Sequence, residues 1–309
     1  MLEYLLFFIL AIVVLVKSVK ITISSLTNLS KNLNLSEFVI ATIFMGTATS
    51  LPEFFIGITS AIRNIPQLSL GNVIGASLLD LTIVLAIPIL LAKKINPHSE
   101  TEKKDTKLMF LLLFLPLILI LDRTFSRIDG LILLIAFFLY TKHLLKQKRL
   151  EKLAKKLIPR ELIKNLLKFF VGVSLLLLSS NFVVKYADLI AQELVLSPVL
   201  IGLIIVSVGT TLPELTFGIE AAIKKHPGMA VGNIVGSVVA NMILVIGTTS
   251  IIRPIFPSIT PLIPAFAFLI LTALIFYYFI KNNKALTKKH ALILSSIYIL
   301  FLISELILK

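Results

Sequence analysis

Two glutamates stand inside apolar stretches of the chain, each at the end of a Thr-x-Leu-Pro-Glu motif. Glu53 closes the motif at positions 49–53, and Glu214 closes the motif at positions 210–214. A carboxylate at bilayer depth costs roughly 2.5–3.5 kcal/mol, so it persists mainly where it binds a partner. Carboxylate oxygens are the ligands that calcium and magnesium prefer. The two motifs therefore predict a cation site within a membrane.

The motifs belong to an internal repeat. Positions 49–75 align without a gap to positions 210–236, and twelve of the aligned positions are identical. Each copy ends in Gly-Asn-x-x-Gly, whose small residues allow close helix packing with the Asn amides bonding across. Continued without a gap, the same alignment matches Asp80 with Asn241, so each copy brings one more oxygen-bearing side chain at an equal distance beyond its glutamate.

Residues that can offer neutral oxygen atoms lie shortly before each glutamate in the sequence. At about 100° per residue, Thr49 and Thr210 lie one helical turn before their glutamates, on the same face. The proline of each motif has no N–H, so we expect it to free backbone carbonyls one turn upstream, around Gly46 to Ala48 and Ser207 to Gly209. In lipid, a bound cation would satisfy such carbonyls.

The composition is that of a polytopic membrane protein. The 309 residues are 57% hydrophobic, with a mean hydropathy of +1.01. We predict an all-α membrane protein with ten transmembrane helices, arranged as two inverted five-helix repeats with proline-broken helices at the ion site. The apolar segments lie near 3–17, 38–62, 70–92, 108–121, 128–141, 167–184, 198–223, 229–252, 261–280 and 290–308.

Charge placement predicts the orientation. With the basic segment 142–168 in the cytoplasm, 24 of the 30 Lys and Arg residues lie inside and six outside, which leaves both termini outside the cell membrane. We therefore expect a first repeat at 1–141, a basic cytoplasmic linker at 142–166 and a second repeat at 167–309. The net charge of +14 follows this topology and does not indicate a nucleic-acid partner. Segment 142–168 is either an amphipathic helix on anionic lipid or a plain charged linker.

Several function classes are excluded or disfavoured. The chain has no cysteine and no Gly-x-x-x-x-Gly-Lys-Ser/Thr loop, so thiolate metal sites and an ATP cradle are excluded, and we expect no cofactor. An intramembrane protease needs two aspartates within spans, and only Asp80 qualifies. We therefore expect a transporter driven by an ion gradient rather than an enzyme.

The duplicated Thr-Ser-Leu-Pro-Glu and Gly-Asn-x-x-Gly-Ser pattern resembles the alpha-repeats of the calcium/cation antiporter superfamily, particularly its prokaryotic sodium/calcium exchanger branch. The resemblance covers both repeats and the ten-helix layout. It implies exchange of several sodium ions for one calcium, with Glu53 and Glu214 as the central calcium-binding glutamates.

The same resemblance implies a role for each remaining candidate. Thr49 and Thr210 would add oxygens, Asp80 and Asn241 would form the polar pair in the middle of the site, and Ser237, Ser207 and Thr210 would form the second repeat's flanking sodium position. The whole candidate metal site is Gly46, Thr49, Ser50, Glu53, Asp80, Ser207, Thr210, Thr211, Glu214, Ser237 and Asn241.

Three features depart from the family pattern. Asp80 and Asn241 stand in the reverse order of many family members, which preserves the total charge. Gly46 and Ser207 replace small apolar residues. Ala76 stands where the first repeat would supply a serine, which weakens one sodium position and leaves a proton-coupled calcium/cation antiporter as the alternative, because clustered carboxylates also attract protons. A passive cation channel is the alternative from a different class; inverted repeats with broken helices fit alternating access better.

Overall fold

The computed structural model describes residues 2–30, 40–95, 100–146, 159–257, 262–282 and 285–307, and most of them are helical. The α-helices are α1 (Leu2–Ser30), α2 (Gly46–Thr49), α3 (Leu51–Ile62), α4 (Pro66–Leu79), α5 (Leu85–Ala92), α6 (Glu100–Leu119), α7 (Arg127–Leu145), α8 (Pro159–Leu194), α9 (Pro198–Ile201), α10 (Ser207–Thr210), α11 (Leu212–Ile223), α12 (Pro227–Val239), α13 (Ile246–Ile252), α14 (Leu262–Asn282) and α15 (Lys288–Ile307). Four π-helical segments interrupt them: π1 (Ile40–Met45), π2 (Asp80–Val84), π3 (Gly202–Val206) and π4 (Ala240–Val245). A 3₁₀ turn (Ile120–Asp122) and two short strands, β1 (Lys94–Ile95) and β2 (Leu286–Thr287), complete the described chain.

The apolar helices confirm the prediction of an all-α membrane protein. Among the described residues, seven helices are long and apolar enough to cross a membrane, and an eighth span results if the bent pair 41–49 and 51–62 is counted as one. Ten spans therefore stay a prediction. The seven candidates are Leu2–Thr22, Pro66–Ala92, Arg127–Leu145, Ile163–Leu194, Pro198–Ile223, Gly228–Ile252 and Leu262–Asn282.

Helices reach into both ends of the predicted linker. α7 continues to Leu145 and α8 starts at Pro159. The described residues of segment 142–166 are therefore helical except for Lys146. Residues 147–158, in the middle of that segment, lie outside the described residues. The surface contact of 142–168 with lipid therefore stays a prediction.

The prolines of the two motifs break the helices that carry the glutamates. Pro52 and Pro213 each occupy the second position of their helix, where the missing N–H is tolerated because the first turn has no intrahelical acceptor. In the first copy, the segments on either side of Ser50 are bent by 46°. Glu53 and Glu214 consequently lie in the first turns of α3 and α11, where the positive end of the helix dipole favours a carboxylate.

Loops pair at equivalent places in the two halves. β1 pairs antiparallel with β2, with Ile95 opposite Leu286, and an antiparallel bridge joins Phe125 to Ile255. In the repeat alignment, position 94 corresponds to position 255 and position 125 to position 286, so the two pairings join repeat-equivalent loops. The loops that follow α5 and α13 therefore have equivalent partners in the opposite half.

The buried apolar side chains form two clusters. The larger cluster joins α4, α5, α6, α7, α12, α13, α14 and α15. The smaller cluster is built mainly from α1 and α8, with contributions from segments 51–68 and 196–206. α1 and α8 therefore form a packing unit that touches the rest of the bundle beside the two broken helices.

Candidate cation site

Two glycine-lined crossings bring the repeats together at the centre of the bundle. A Cβ atom on Gly75 of α4 would collide with the backbone carbonyl of Leu203 in π3, and one on Gly236 of α12 would collide with the carbonyl of Thr42 in π1. The prediction that Gly-Asn-x-x-Gly allows close helix approach is confirmed. The glycine helices are α4 and α12, and the broken helices are those interrupted at Ser50 and Thr211. Each repeat's glycine helix thus packs against the broken helix of the other repeat.

The asparagines of these motifs bond across the crossings, as the sequence predicted. Thr210 Oγ1 donates to Asn72 Oδ1 at 3.1 Å, and Thr49 Oγ1 donates to Asn233 Oδ1 at 3.2 Å. Both asparagines are fully buried, and neither Nδ2 atom has a hydrogen-bond partner among the described residues. Asn72 and Asn233 therefore border the site, although the sequence analysis had assigned them only to packing.

The threonine hydroxyls serve the opposite repeat. The sequence placed Thr49 on the same helix face as Glu53, but the Thr49 hydroxyl contacts Ser237 Oγ at 3.1 Å and faces Glu214. The Thr210 hydroxyl likewise faces Glu53. The break between α2 and α3, and between α10 and α11, ends the regular helical stacking on which the prediction depended. Each glutamate is consequently surrounded by groups from both repeats.

Ser237 is a close neighbour of Glu214 on the adjacent helix α12. Ser237 Oγ lies 3.4 Å from Glu214 Oε1 and 3.3 Å from the Gly46 carbonyl oxygen. Glu214 Oε2 has no hydrogen-bond partner among the described residues. A serine, a threonine, a carbonyl and a carboxylate oxygen are thus gathered at one place.

The expectation of free carbonyls around Gly46 to Ala48 and Ser207 to Gly209 is wrong for Gly46 and Ser207. The Gly46 carbonyl accepts a hydrogen bond from the Ser50 amide at 3.1 Å, and the Ser207 carbonyl accepts one from the Thr211 amide at 3.1 Å. Proline at 52 removes the donor that would serve the carbonyl four residues earlier, at Ala48, rather than the one at Gly46. A carbonyl oxygen has two lone pairs, so those of Gly46 and Ser207 still have acceptor capacity.

The site is buried and rich in polar atoms that have no hydrogen-bond partner among the described residues. All of the predicted site side chains are at most 4% exposed. A buried polar group without a hydrogen bond is strongly unfavourable, and a bound cation would remove that penalty for an oxygen atom. In and beside the site, the buried oxygens without a hydrogen-bond partner in the described chain are Ser50 Oγ, both of Glu53, Ser77 Oγ, both of Asp80, Glu214 Oε2 and Asn241 Oδ1.

The carboxylates are neighbours without forming one three-acid cluster. Glu214 lies close enough to Glu53 and to Asp80 for their charges to interact. Within the described chain, however, no three acidic or histidine side chains are close enough together to share one metal ion. Joint ligation of one divalent ion by Glu53, Asp80 and Glu214 is not formed in this geometry, and the predicted set of site residues stays a prediction. Hydroxyl and carbonyl oxygens must complete any coordination shell around the glutamates.

Asp80 and Asn241 lie where the helix widens. Asp80 opens π2 and Asn241 lies in π4, at repeat-equivalent positions. A π-helical turn adds one residue to the helical turn and is frequent at functional sites. Ser77, one turn before Asp80, is a further buried residue whose hydroxyl lacks a partner in the described chain. On a regular helix its side chain points about 100° away from that of the neighbouring position 76.

Buried carboxylates from two repeats, at broken helices within an apolar bundle, define the class of a membrane cation transporter. The chain belongs to the sodium/calcium exchanger protein family, whose model matches residues 3–146 and 164–306. This places it in the calcium/cation antiporter superfamily, as its motifs indicated.

Several known antiporters and exchangers are similar to this protein over most of its chain. The putative antiporter CaxA of Alkalimonas amylolytica is 29% identical over 257 residues, which cover 80% of each chain. The sodium/calcium exchanger MaX1 of Methanosarcina acetivorans is 22% identical over 336 residues, covering 95% of this chain and 96% of its own. The solved structure of the sodium-calcium exchanger NCX_Mj soaked with Na⁺ and Sr²⁺ matches with a TM-score of 0.73 at 26% identity, covering 97% and 98% of the two chains.

Proposed function

We propose that this protein is a secondary antiporter that moves calcium across the cell membrane in exchange for sodium. The observation that carries the proposal is the pair of fully buried glutamates, one from each repeat, each with at least one oxygen that has no partner in the described chain. Two carboxylates with nearby hydroxyl and carbonyl oxygens suit calcium, which takes 6–8 oxygen ligands. Calcium and sodium are thus transported substrates, and no resident cofactor is proposed.

We propose ten transmembrane spans, with α6 and α15 crossing the membrane in addition to the more apolar helices. Each half then has five spans, so the second repeat enters from the opposite side. The repeat-equivalent loop pairings, β1 with β2 and Phe125 with Ile255, support this inversion. The excess of Lys and Arg supports a cytoplasmic segment 142–166 and external termini.

Alternating access is proposed to arise from movement of α1 and α8 against the remaining bundle. Their separate apolar cluster and their position beside the broken helices support this assignment. A site that must be neutralised by either calcium or sodium before the bundle reorients couples the two gradients. Movement of α1 and α8 would expose the site to one side of the membrane at a time.

The test is calcium-45 uptake into proteoliposomes loaded with sodium, compared at fixed pH with vesicles loaded with potassium. Uptake that needs internal sodium and saturates with calcium supports the exchanger. Flux that is not saturable and shows no counterflow indicates a passive cation channel instead. Uptake that ignores sodium but follows an imposed proton gradient identifies the proton-coupled antiporter, which Ala76 favours because it removes one hydroxyl from the first repeat.

The reversed order of Asp80 and Asn241 gives a prediction about charge. The single substitution Asp80→Asn is expected to lower calcium uptake about tenfold, because it removes one negative charge from the buried site of a divalent cation, and a loss of about 1.4 kcal/mol in binding is a tenfold change. The double substitution Asp80→Asn with Asn241→Asp is expected to recover most of the uptake, since it returns the charge to the repeat-equivalent position. Uptake by the three proteins at matched reconstitution density checks this; a double variant as inactive as the single one would contradict it.

A further inference from the structure

The two glutamates have matching surroundings except for one serine. Beside Glu214, Thr49 Oγ1 also lies within hydrogen-bond distance of the Gly46 carbonyl oxygen, at 3.3 Å. In the other half, the Thr210 hydroxyl faces Glu53, and its Oγ1 lies 3.2 Å from the Ser207 carbonyl oxygen. These two arrangements are repeat equivalents, since positions 46 and 49 align with positions 207 and 210. The serine beside Glu214 is Ser237, and its repeat equivalent is Ala76, which has no hydroxyl.

The missing hydroxyl reappears on the facing helix. Ser207 is the repeat equivalent of Gly46, so the interface that loses a serine at position 76 gains one at position 207. Ser207 is fully buried, and its Oγ lies 2.8 Å from the place that a Cβ on Gly75 would occupy. Its hydroxyl is therefore at the crossing of α4 with π3 and α10, directly beside the residue preceding Ala76.

The location of each serine also fits the space available at its crossing. A Cβ on Gly46 would lie 2.7 Å from Gly236 Cα and 2.8 Å from the Ser237 amide nitrogen, so no side chain fits on the broken helix at that crossing. There the hydroxyl must come from the glycine helix. At the other crossing, the broken helix carries the serine and the glycine helix carries only the methyl group of Ala76.

The Ser207 oxygen is able to ligate a cation as it stands. Its hydroxyl donates to the Leu203 carbonyl at 2.6 Å, and a hydroxyl that donates its proton keeps two acceptor lone pairs. The Thr210 hydroxyl, which lies 3.2 Å from the Ser207 carbonyl oxygen, faces the Glu53 carboxylate, and neither oxygen of that carboxylate has a hydrogen-bond partner in the described chain. A monovalent cation between them would meet one carboxylate and neutral oxygens, which is the set that Ser237 completes beside Glu214.

We propose that Ser207 replaces the hydroxyl missing at Ala76, so that its Oγ ligates a sodium ion beside Glu53. This inference rests on the proposed sodium/calcium exchange and deepens it, because it restores the sodium position that Ala76 weakens. It also reassigns Ser207, which the family resemblance had grouped with Ser237, to the glutamate of the first repeat. The chain would then keep one hydroxyl at each crossing and remain coupled to sodium.

The experiment measures sodium-dependent calcium-45 uptake over a range of sodium concentrations. Ser207→Ala is expected to raise the sodium concentration for half-maximal exchange several-fold and to reduce the steepness of the sodium dependence. The calcium-induced rise in Tm should stay within error of the wild-type value, because the glutamates are unchanged. Thr216→Ala is the matched control, since its hydroxyl bonds within its own helix, to the Leu212 carbonyl, and its loss should change none of these values.

A rescue variant separates ligation from simple packing. Ala76→Ser combined with Ser207→Gly copies the arrangement of Ser237 and Gly46, and it is expected to return the sodium dependence toward wild type. The inference is overturned if Ser207→Ala matches wild type while Ser237→Ala raises the sodium requirement, or if the rescue variant folds but behaves as Ser207→Ala does. Failure of the underlying exchange would be distinct, because wild-type uptake would then show no sodium dependence at all.

Discussion

Glutamine at position 53 or 214 is expected to abolish calcium uptake. The amide keeps the size of the side chain but removes the charge that a divalent cation needs. Removing one partner of a buried charge pair costs about 3–5 kcal/mol, which corresponds to a loss of at least about 100-fold in affinity. Calcium-45 uptake by Glu53→Gln and Glu214→Gln, each at matched reconstitution density, measures the effect. The two losses should be of similar size, since each glutamate lies in the first turn of a repeat-equivalent helix.

Thermal unfolding distinguishes loss of binding from loss of fold. A ligand that binds only the folded state stabilises it by about 2.7 kcal/mol at 100 times its Kd, so wild-type Tm should rise with calcium. The glutamine variants should keep a folded Tm without calcium, and this rise should disappear. Glu220→Gln is the control, because Glu220 is exposed and pairs with Lys224 at 3.0 Å, away from the buried face of the helix that carries Glu214. A wild-type calcium response in either site variant would contradict the assignment of the glutamates.

The sequence predicted a set of candidate site residues but not which of them lie beside which glutamate. A repeated motif identifies Glu53 and Glu214 because an acid in an apolar run needs a partner, whatever the fold. The partner of Thr49 depends on α12 crossing π1 and α2, which is a tertiary contact between residues 184 positions apart. Helical periodicity carries no information about such contacts, and the break at Ser50 ends the periodicity itself.

Hydropathy also underestimated the length of the helices. The predicted apolar segment 167–184 corresponds to α8, which runs from Pro159 to Leu194. Its ends contain polar residues that form helix readily but do not register as apolar. The predicted apolar segment 108–121 likewise corresponds to α6, which begins at Glu100 and includes Lys103, Lys104 and Asp105. Hydropathy therefore locates the apolar part of a helix but not the charged turns that extend it.

Alanine at Gly236 is expected to disrupt both the fold and the transport site. Its Cβ would collide with the Thr42 backbone carbonyl, and a carbonyl cannot rotate away as a flexible side chain can. Overpacking a well-packed interior typically costs about 1–3 kcal/mol and forces backbone shifts. Ser237 follows directly, so the same shift would move its hydroxyl away from Glu214. We expect a Tm lowered by several degrees and calcium uptake reduced at least about tenfold, since a displacement of about 1 Å at a site is enough to cost that much.

The internal sequence repeat makes this prediction stricter. Gly75→Ala should have an effect of the same size, because its Cβ would meet the Leu203 carbonyl at the equivalent crossing. Gly247→Ala is the control: the nearest atoms to its Cβ lie at 3.1 Å and belong to α7 rather than to either crossing, so neighbours need to move only slightly. Thermal unfolding and calcium-45 uptake should therefore separate the two crossing glycines from Gly247. Wild-type behaviour of Gly75→Ala beside a damaged Gly236→Ala would show that the two crossings are not equivalent, and that the crossing of α12 with π1 alone fixes the geometry of the site.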